Sequence, residues 1–285
     1  MAVIIGSIIV IGSVLAGFSM AGGHVHALIH PSEFVTIGGA AFGALVVSAP
    51  ARVLKDLAKG LVQLLKGSPF GKPMYRDTLQ LLYAIFRIAR RDGLLALDNH
   101  LSEPEQSELF TKYPKLLANH HVTHFITDAM GLAVESRSTP EQLGSLFETQ
   151  IRVAENEHHE AVGALAKTAD AMPGFGIVAA VLGIVITMGA INGPAEEIGH
   201  KVGAALVGTF LGILISYGFL APMVARMETL GAAESAYFRT IASSIVAFQE
   251  GLGPKDVILQ VVRGMASDVR LERAELEELF QEIGS

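Results

Sequence analysis

Ala171–Val224 reads AMPGFGIVAAVLGIVITMGAINGPAEEIGHKVGAALVGTFLGILISYGFLAPMV. Its two apolar runs, Ala171–Ile191 and Val202–Val224, hold no Asp, Glu, Lys, Arg or His over 21 and 23 residues. A helix of about 20 apolar residues crosses the ~30 Å hydrocarbon core, so each run is long enough to span a bilayer. The polar link between them is too short to form a domain, and the stretch reads as a transmembrane helical hairpin. Pro173 sits near the start of the outgoing run and Pro222 near the end of the returning one. That spacing predicts two prolines at similar depth on one membrane face. Each lacks a backbone donor and clashes with the preceding turn, so the pair reads as a hinge at one mouth of the hairpin.

Two further runs lie upstream. Met1–Gly23 has 23 residues without an ionisable side chain, and Phe34–Ala51 adds 18. The first lacks a basic leader and is longer than the ~7–15-residue core of a cleaved signal, so it reads as a retained helix. With 51% hydrophobic residues and a mean hydropathy of +0.45, the chain is too apolar for an ordinary soluble domain. Fourteen of the 21 Lys and Arg fall between Arg52 and Lys167, six between Arg226 and Arg273, and Lys201 alone between spans. Cytoplasmic segments carry the excess of Lys and Arg, which places both termini and the large insert on the cytoplasmic side. The fold class is therefore all-α: an integral membrane protein of four transmembrane helices, two extending as long helices into a cytoplasmic helical domain. Its parts are 1–51 (spans one and two), 52–170 (cytoplasmic insert), 171–224 (hairpin) and 225–285 (cytoplasmic C-terminal helices).

Outside the membrane the first feature is amphipathic. In RVLKDLAKGLVQLLK, Leu54, Leu57, Ala58, Leu61 and Leu65 line one face and Arg52, Lys55, Lys59 and Lys66 flank it, a pattern for lying among membrane lipids at the inner interface. A second helix runs to Gly93 and bears Arg87, Arg90, Arg91, Asp92 and, just beyond, Asp98. Pro140 opens a charged helix that leads into the third span, and the fourth span continues inward from Ala221 until GLGP ends it. His24, His26 and His30 in the first outer link read as solvated interfacial side chains rather than a metal set. His120 and His124 in the insert stand at i, i+4 on one helix face, a spacing that suits zinc, but with no further ligand nearby in sequence beyond Asp128 they do not read as a metal set, and the pattern assigns no role to them or to His121. There is no cysteine, so disulfides and thiolate metal sites are excluded, and the net charge of −7 gives no sign of nucleic-acid binding. No nucleophile–base pair or phosphate loop points to an enzyme. Gly39–Gly43 and Gly208–Gly212 are small-xxx-small pairs that let helix backbones approach closely, within one subunit or between subunits.

The runs themselves contain no ionisable side chain, only hydroxyls such as Thr187, Thr209, Ser216 and Tyr217. Ion transport normally leaves a titrating group inside the membrane, so this chain is either a scaffold or draws its carboxylate from a partner helix.

PGFGIVAAVLGIV followed by VGTFLGILISYGFLAPM resembles the hairpin of the MotA family of bacterial flagellar stator proteins, and LIHPSEFVTIGGAAFGA and YPKLLA reinforce the likeness. The four-span layout agrees with it, whereas the ExbB/TolQ energisers have three spans. The resemblance implies a protein of the bacterial inner membrane. It implies a homopentameric ring around two copies of a MotB-like single-span subunit, which carries the ion-binding aspartate and a peptidoglycan-binding domain. The ring's rim would engage the rotor protein FliG. It further implies that Pro173 and Pro222 are the functional prolines and that Thr209 faces the partner's aspartate with Ala180 beside it. Thr187 and Tyr217 would lie further along the ion pathway. Arg90 would face the rotor, within a rim that includes Arg87, Arg91 and Asp98. Asp98 stands where many relatives have glutamate, and Gln260 with Arg263 where they tend to have Glu-x-x-Arg. Sodium-driven members resemble one another in a threonine at the position of Ala180. Alanine supplies no oxygen, and Thr187 lies seven residues, ~10 Å at 1.5 Å per residue, nearer the outer surface. The implied function is conversion of H⁺ flow into torque, with no cofactor beyond the transported ion. A Na⁺-driven stator and a scaffold for another envelope machine are the alternatives.

Overall fold

The computed structural model describes residues 2–135 and 138–284. Met1 of the first run and Arg137 of the insert thus lie outside the described residues. Among the described residues there is no strand. The helices are, in chain order, α1 (Ala2–Met20), α2 (Pro31–Ser48), α3 (Ala51–Lys66), α4 (Lys72–Asp92), α5 (Asp98–Ser102), α6 (Glu108–Thr111), α7 (Pro114–Leu117), α8 (His120–Glu135), α9 (Pro140–Met188), α10 (Ala195–Ile215), α11 (Ala221–Gln249), α12 (Pro254–Arg263) and α13 (Arg273–Gly284). A π-helical turn, Ser216–Leu220, joins α10 to α11. Among the described residues, four helical stretches are long and apolar enough to cross a membrane: Ala2–Met20, Val25–Ser48, Pro140–Met188 and Ala195–Gln249. The chain divides into two compact units, Met1–Gly67 with Asn156–Leu230, and Ser68–Glu155 with Gly231–Ser285.

Local chemistry sets the helix ends. Proline stands in the first turn of α2, α4, α7 and α12, where its missing N–H costs nothing and its fixed φ suits the helix. α9 begins with a reciprocal cap: the Thr139 amide donates to Gln142 Oε1 at 3.0 Å and the Gln142 amide to Thr139 Oγ1 at 3.4 Å. α2 stops ahead of Pro50, which holds Ala49 in an extended conformation. Gly251, at φ 95°, closes α11, with the Leu252 amide reaching back to the Ala247 carbonyl at 3.3 Å.

In the first unit no residue of α1 is buried. Ile37 and Ala41 of α2 pack with Met172 and Ala179 of α9 and Val207 and Leu211 of α10. A second cluster seats Val53, Leu57 and Leu64 of α3 on Ala161, Val162 and Leu165 of α9 and Met227 and Leu230 of α11. The apolar face of α3 is therefore turned slightly from the one the spacing predicts. Ala58 and Leu65 are exposed, and the buried stripe follows Val53, because α9 and α11 offer it an apolar surface. Arg52 Nη1 is 2.9 Å from Glu157, and its Nη2 also reaches Glu160, which ties the start of α3 to α9.

Glycines set the register of the hairpin. A Cβ on Gly212 would stand 2.7 Å from the Met172 carbonyl and 2.9 Å from Gly176 Cα, and one on Gly183 2.6 Å from Ala205 Cβ. With Ser216 Oγ donating to the Ala169 carbonyl at 2.7 Å, these contacts pair Pro173 with the level of Gly212 and Ile213. Pro222 then lies about nine residues further along, roughly 14 Å at the 1.5 Å rise, so the two prolines are not at similar depth. The apolar runs misled because they are unequally placed about the turn. The returning run starts later and extends two to three turns past the level of Pro173.

The second unit has one core. Leu79, Leu82, Ile85 and Phe86 of α4 meet Phe147 of α9, Tyr237, Ile241 and Ile245 of α11 and Val257 and Ile258 of α12. Phe86 stacks on Phe248 with centroids 4.5 Å apart, and Tyr75 meets Tyr237 edge-on at 5.0 Å. The Tyr237 hydroxyl finds Thr78, whose Oγ1 donates to the Met74 carbonyl at 2.9 Å, so this buried polar pair is satisfied.

Candidate functional site

The hairpin narrows where Gly176, Gly208 and Gly212 let α9 and α10 touch through backbone. A Cβ on Gly208 would lie 3.0 Å from Ala179 Cβ and 3.3 Å from the Ala180 nitrogen, and one on Gly176 3.3 Å from Thr209 Cα. Ala180 and Thr209, both half-buried, thus flank one crossing. Thr187 is buried two turns further toward the link, and its hydroxyl is committed to the Gly183 carbonyl at 2.8 Å. Tyr217, 66% exposed, sits in the π-helical turn about 12 Å from Thr209 along the helix axis and outside that group. Pro173 is half-buried inside α9, and Pro222 is exposed two residues after the π-helical turn.

The crossing also contains a residue that the hydropathy pattern leaves outside the spans. Glu33 lies in the first turn of α2 and within the membrane-length stretch Val25–Ser48. It is 8% exposed, and its Oε2 has no hydrogen-bond partner among the described residues. That oxygen stands 2.7 Å from where a Gly208 Cβ would be, so the carboxyl occupies the notch left by the missing side chain. The reading that no span holds an ionisable group is corrected here. The signal was Pro31, which marks the first helical turn and so draws Glu33 into the helix ahead of Phe34.

In the second unit, Arg87, Arg90 and Arg91 line a groove of about 440 Å³ with Lys112, Pro254 and Ile283. Arg87 Nη1 is bound to the Ile283 carbonyl, and its guanidinium lies 5.9 Å from the Tyr83 ring centre. Arg90 reaches the Gly251 carbonyl at 3.3 Å. Arg91 pairs with Asp92 at 2.7 Å, which holds the Asp92 carboxyl below the usual carboxylate range and raises Arg91. Asp98, exposed at the start of α5, does not line this groove, whereas Lys112, which the sequence reading passed over, does. His24, His26, His30 and His200 line a largely apolar cavity of about 890 Å³ in the first unit. His120 lines two shallow hollows in the second, with His124 in one and His121 in the other. No three His, Cys, Asp or Glu converge as a metal set among the described residues.

Known proteins share this architecture. Residues 4–93 match the model described as Motility protein A N-terminal, and residues 117–240 that of the MotA/TolQ/ExbB proton channel family. Motility protein A of Salmonella typhimurium is 34% identical over 278 residues, covering 98% of this chain and 94% of that protein. Chemotaxis protein LafT of Vibrio parahaemolyticus is 37% identical over 244 residues, 86% of each. The fold matches a chain of the C. jejuni MotAB structure with a TM-score of 0.79 at 24% identity, over 95% of this chain and 98% of that one. With four membrane-length helices, an all-α architecture and relatives of this closeness along nearly its whole length, the chain belongs to the motility protein A branch of the MotA/TolQ/ExbB proton channel family and is a multi-pass membrane protein.

Proposed function

We propose that this chain is the H⁺-conducting stator subunit of a flagellar motor in the bacterial inner membrane, with both termini cytoplasmic. The observation that carries the reading is the glycine crossing, where Ala180 and Thr209 flank one half-buried point of an otherwise apolar hairpin. A MotB-like single-span subunit brings its carboxylate to Thr209, and the chain forms a ring, pentameric by family resemblance, around that partner. The open faces of Gly6, Gly12, Gly17, Gly38, Gly39 and Gly43, none with a neighbour within 4 Å, support close helix contacts outside the single chain. Pro173 and Pro222 act as two hinges at different depths. Arg90, with Arg87 and Arg91 beside it and Asp98 nearby, addresses a rotor protein of the FliG kind. The chemistry is ion transfer, and the chain has no enzymatic role.

The coupling ion follows from the ligand count at the crossing. Sodium needs several oxygens to replace its hydration shell, and the crossing offers only the Thr209 hydroxyl and the Glu33 carboxyl, with none from alanine at position 180, whereas a proton needs only a carboxylate. Stator-driven rotation in a host lacking its own stators is expected to be the same in potassium and sodium buffers at fixed pH and to stop with a protonophore. Rotation that saturates with sodium and survives the protonophore overturns the H⁺ assignment.

A further inference from the structure

We propose that Glu33 is a proton-binding carboxyl of the ion path, supplied by this chain itself and placed on the outer side of the Ala180–Thr209 crossing. The inference rests on the proton-channel reading above. Glu33 is more than nine-tenths buried, its Oε2 has no donor among the described residues, and that oxygen points into the Gly208 notch between α2, α9 and α10. Its surroundings are apolar: Ile37, Ala41, Ala179, Val207 and Leu211 form the adjoining core. An ionised carboxylate without a donor is expensive in such a place, so the position calls for a proton on the oxygen or a cation against it. A merely structural acid would be expected to hold a backbone N–H or a hydroxyl, and Oε2 holds neither among the described residues.

The neighbouring charges support a proton over a fixed ion pair. α9 has no titratable side chain between Met172 and Met188. On α10, Lys201 is paired to Glu197 at 2.8 Å, about two turns from Gly208, and Glu196 and His200 lie at the same end. Ahead of Glu33 on its own strand of chain are only His24, His26 and His30, and His30 Nε2 is bonded to the Ala27 carbonyl at 3.1 Å. The cavity that these histidines and His200 line also touches Val207, the residue before the notch. The cycle is a plain acid–base one. The Glu33 carboxylate takes a proton from a hydronium ion on the outer side, whose O–H bond breaks as the Glu33 O–H bond forms, and passes it by Thr209 to the partner's carboxylate, where the Glu33 O–H bond breaks and the acceptor's O–H bond forms.

The test uses the stator complex with its single-span partner in proteoliposomes, comparing wild type, Glu33→Gln and Glu33→Asp. Glu33→Gln keeps shape and packing but cannot titrate. It is expected to assemble, to lower proton flux several-fold and to flatten the dependence of flux on outer pH. Glu33→Asp should restore part of both. Flux and an outer-pH profile unchanged in Glu33→Gln overturn the inference. Should Glu33→Gln fail to assemble, infrared difference spectra of wild type and Glu33→Asp decide the matter. A protonated-carboxyl carbonyl band that titrates with outer pH and shifts in the aspartate variant supports it. A band absent or identical in both overturns it and points to a carboxylate permanently paired in the assembly. If wild type carries sodium instead, the proposed function fails in the flux assay while the infrared arm still reports on Glu33.

Discussion

At the residue scale, glycines split by what surrounds them. A methyl at Gly212 meets the Met172 carbonyl at 2.7 Å and Gly176 Cα at 2.9 Å, so the helices must part, whereas one at Gly163 meets nothing within 4 Å. Gly212→Ala is expected to destabilise the complex by ~1–3 kcal/mol, the range for overpacking a close contact. Gly163→Ala should stabilise it by ~0.5–1 kcal/mol, the helix preference of alanine over glycine. Thermal unfolding in detergent measures both, and equal melting temperatures would contradict the contact geometry. Asp77 gives a pH signature outside the membrane. Burial raises its carboxyl above the usual value, while Lys115 and Arg76 partly oppose the shift. A folded value above the unfolded one gives a contribution present below the unfolded value and lost as pH rises through the folded one. Asp77→Asn should therefore raise the melting temperature near neutral pH and give little gain near the carboxylate range of about pH 4. A gain equal at both pH values would remove Asp77 as the cause. Hydropathy identified the apolar runs because uncharged stretches are long and unambiguous. It missed Glu33 because one carboxyl immediately before a run looks like a boundary unless the proline ahead of it is read as a helix start.

At the element scale, the π-helical turn Ser216–Leu220 leaves the regular hydrogen-bond ladder just before Pro222. Ser216, 1% exposed, spends its hydroxyl on the Ala169 carbonyl and so holds the turn against the opposite helix. Ser216→Ala should cost ~0.6 kcal/mol, and at most ~1.7, as interhelical bonds in membranes do. Stator-driven rotation should slow while assembly is retained. Rotation and melting like wild type would show that the bond restrains nothing. Sequence could not reveal this turn, since π-bulges have no residue signature beyond a nearby proline. It did give the ends of α4, α9 and α11, because Gly93, Pro140 and Gly251 act locally. The precise face of α3 was not legible, because the choice between Val53 and Leu65 is made by helices more than a hundred residues away in the chain.

At the scale of the whole molecule, charge reversal tests the basic groove. Arg90→Glu or Asp98→Lys alone should reduce torque mildly, since each exposed pair is worth ~0.2–1 kcal/mol, and the double reversal more severely. Rescue by opposite changes on the rotor protein is the informative readout. Normal motility in the double reversal would make these side chains an ordinary solvated face. Spans and family were legible because they rest on long-range composition and a specific motif. The groove was only half legible: Arg87, Arg90 and Arg91 share a helix, but Lys112 reaches them only through the fold. The second unit draws its core from Ser68–Glu155 and Gly231–Ser285, on either side of the hairpin. During translation, Tyr75, Phe86 and Phe147 therefore wait for Tyr237 and Phe248 while the ribosome delivers the membrane segments between. Those roughly ninety codons take on the order of 5–20 s at 5–20 residues per second, an interval in which the aromatic surface is bare. Insertion of the hairpin must precede completion of this core, and a nascent chain released before Tyr237 is a substrate for chaperones and proteases.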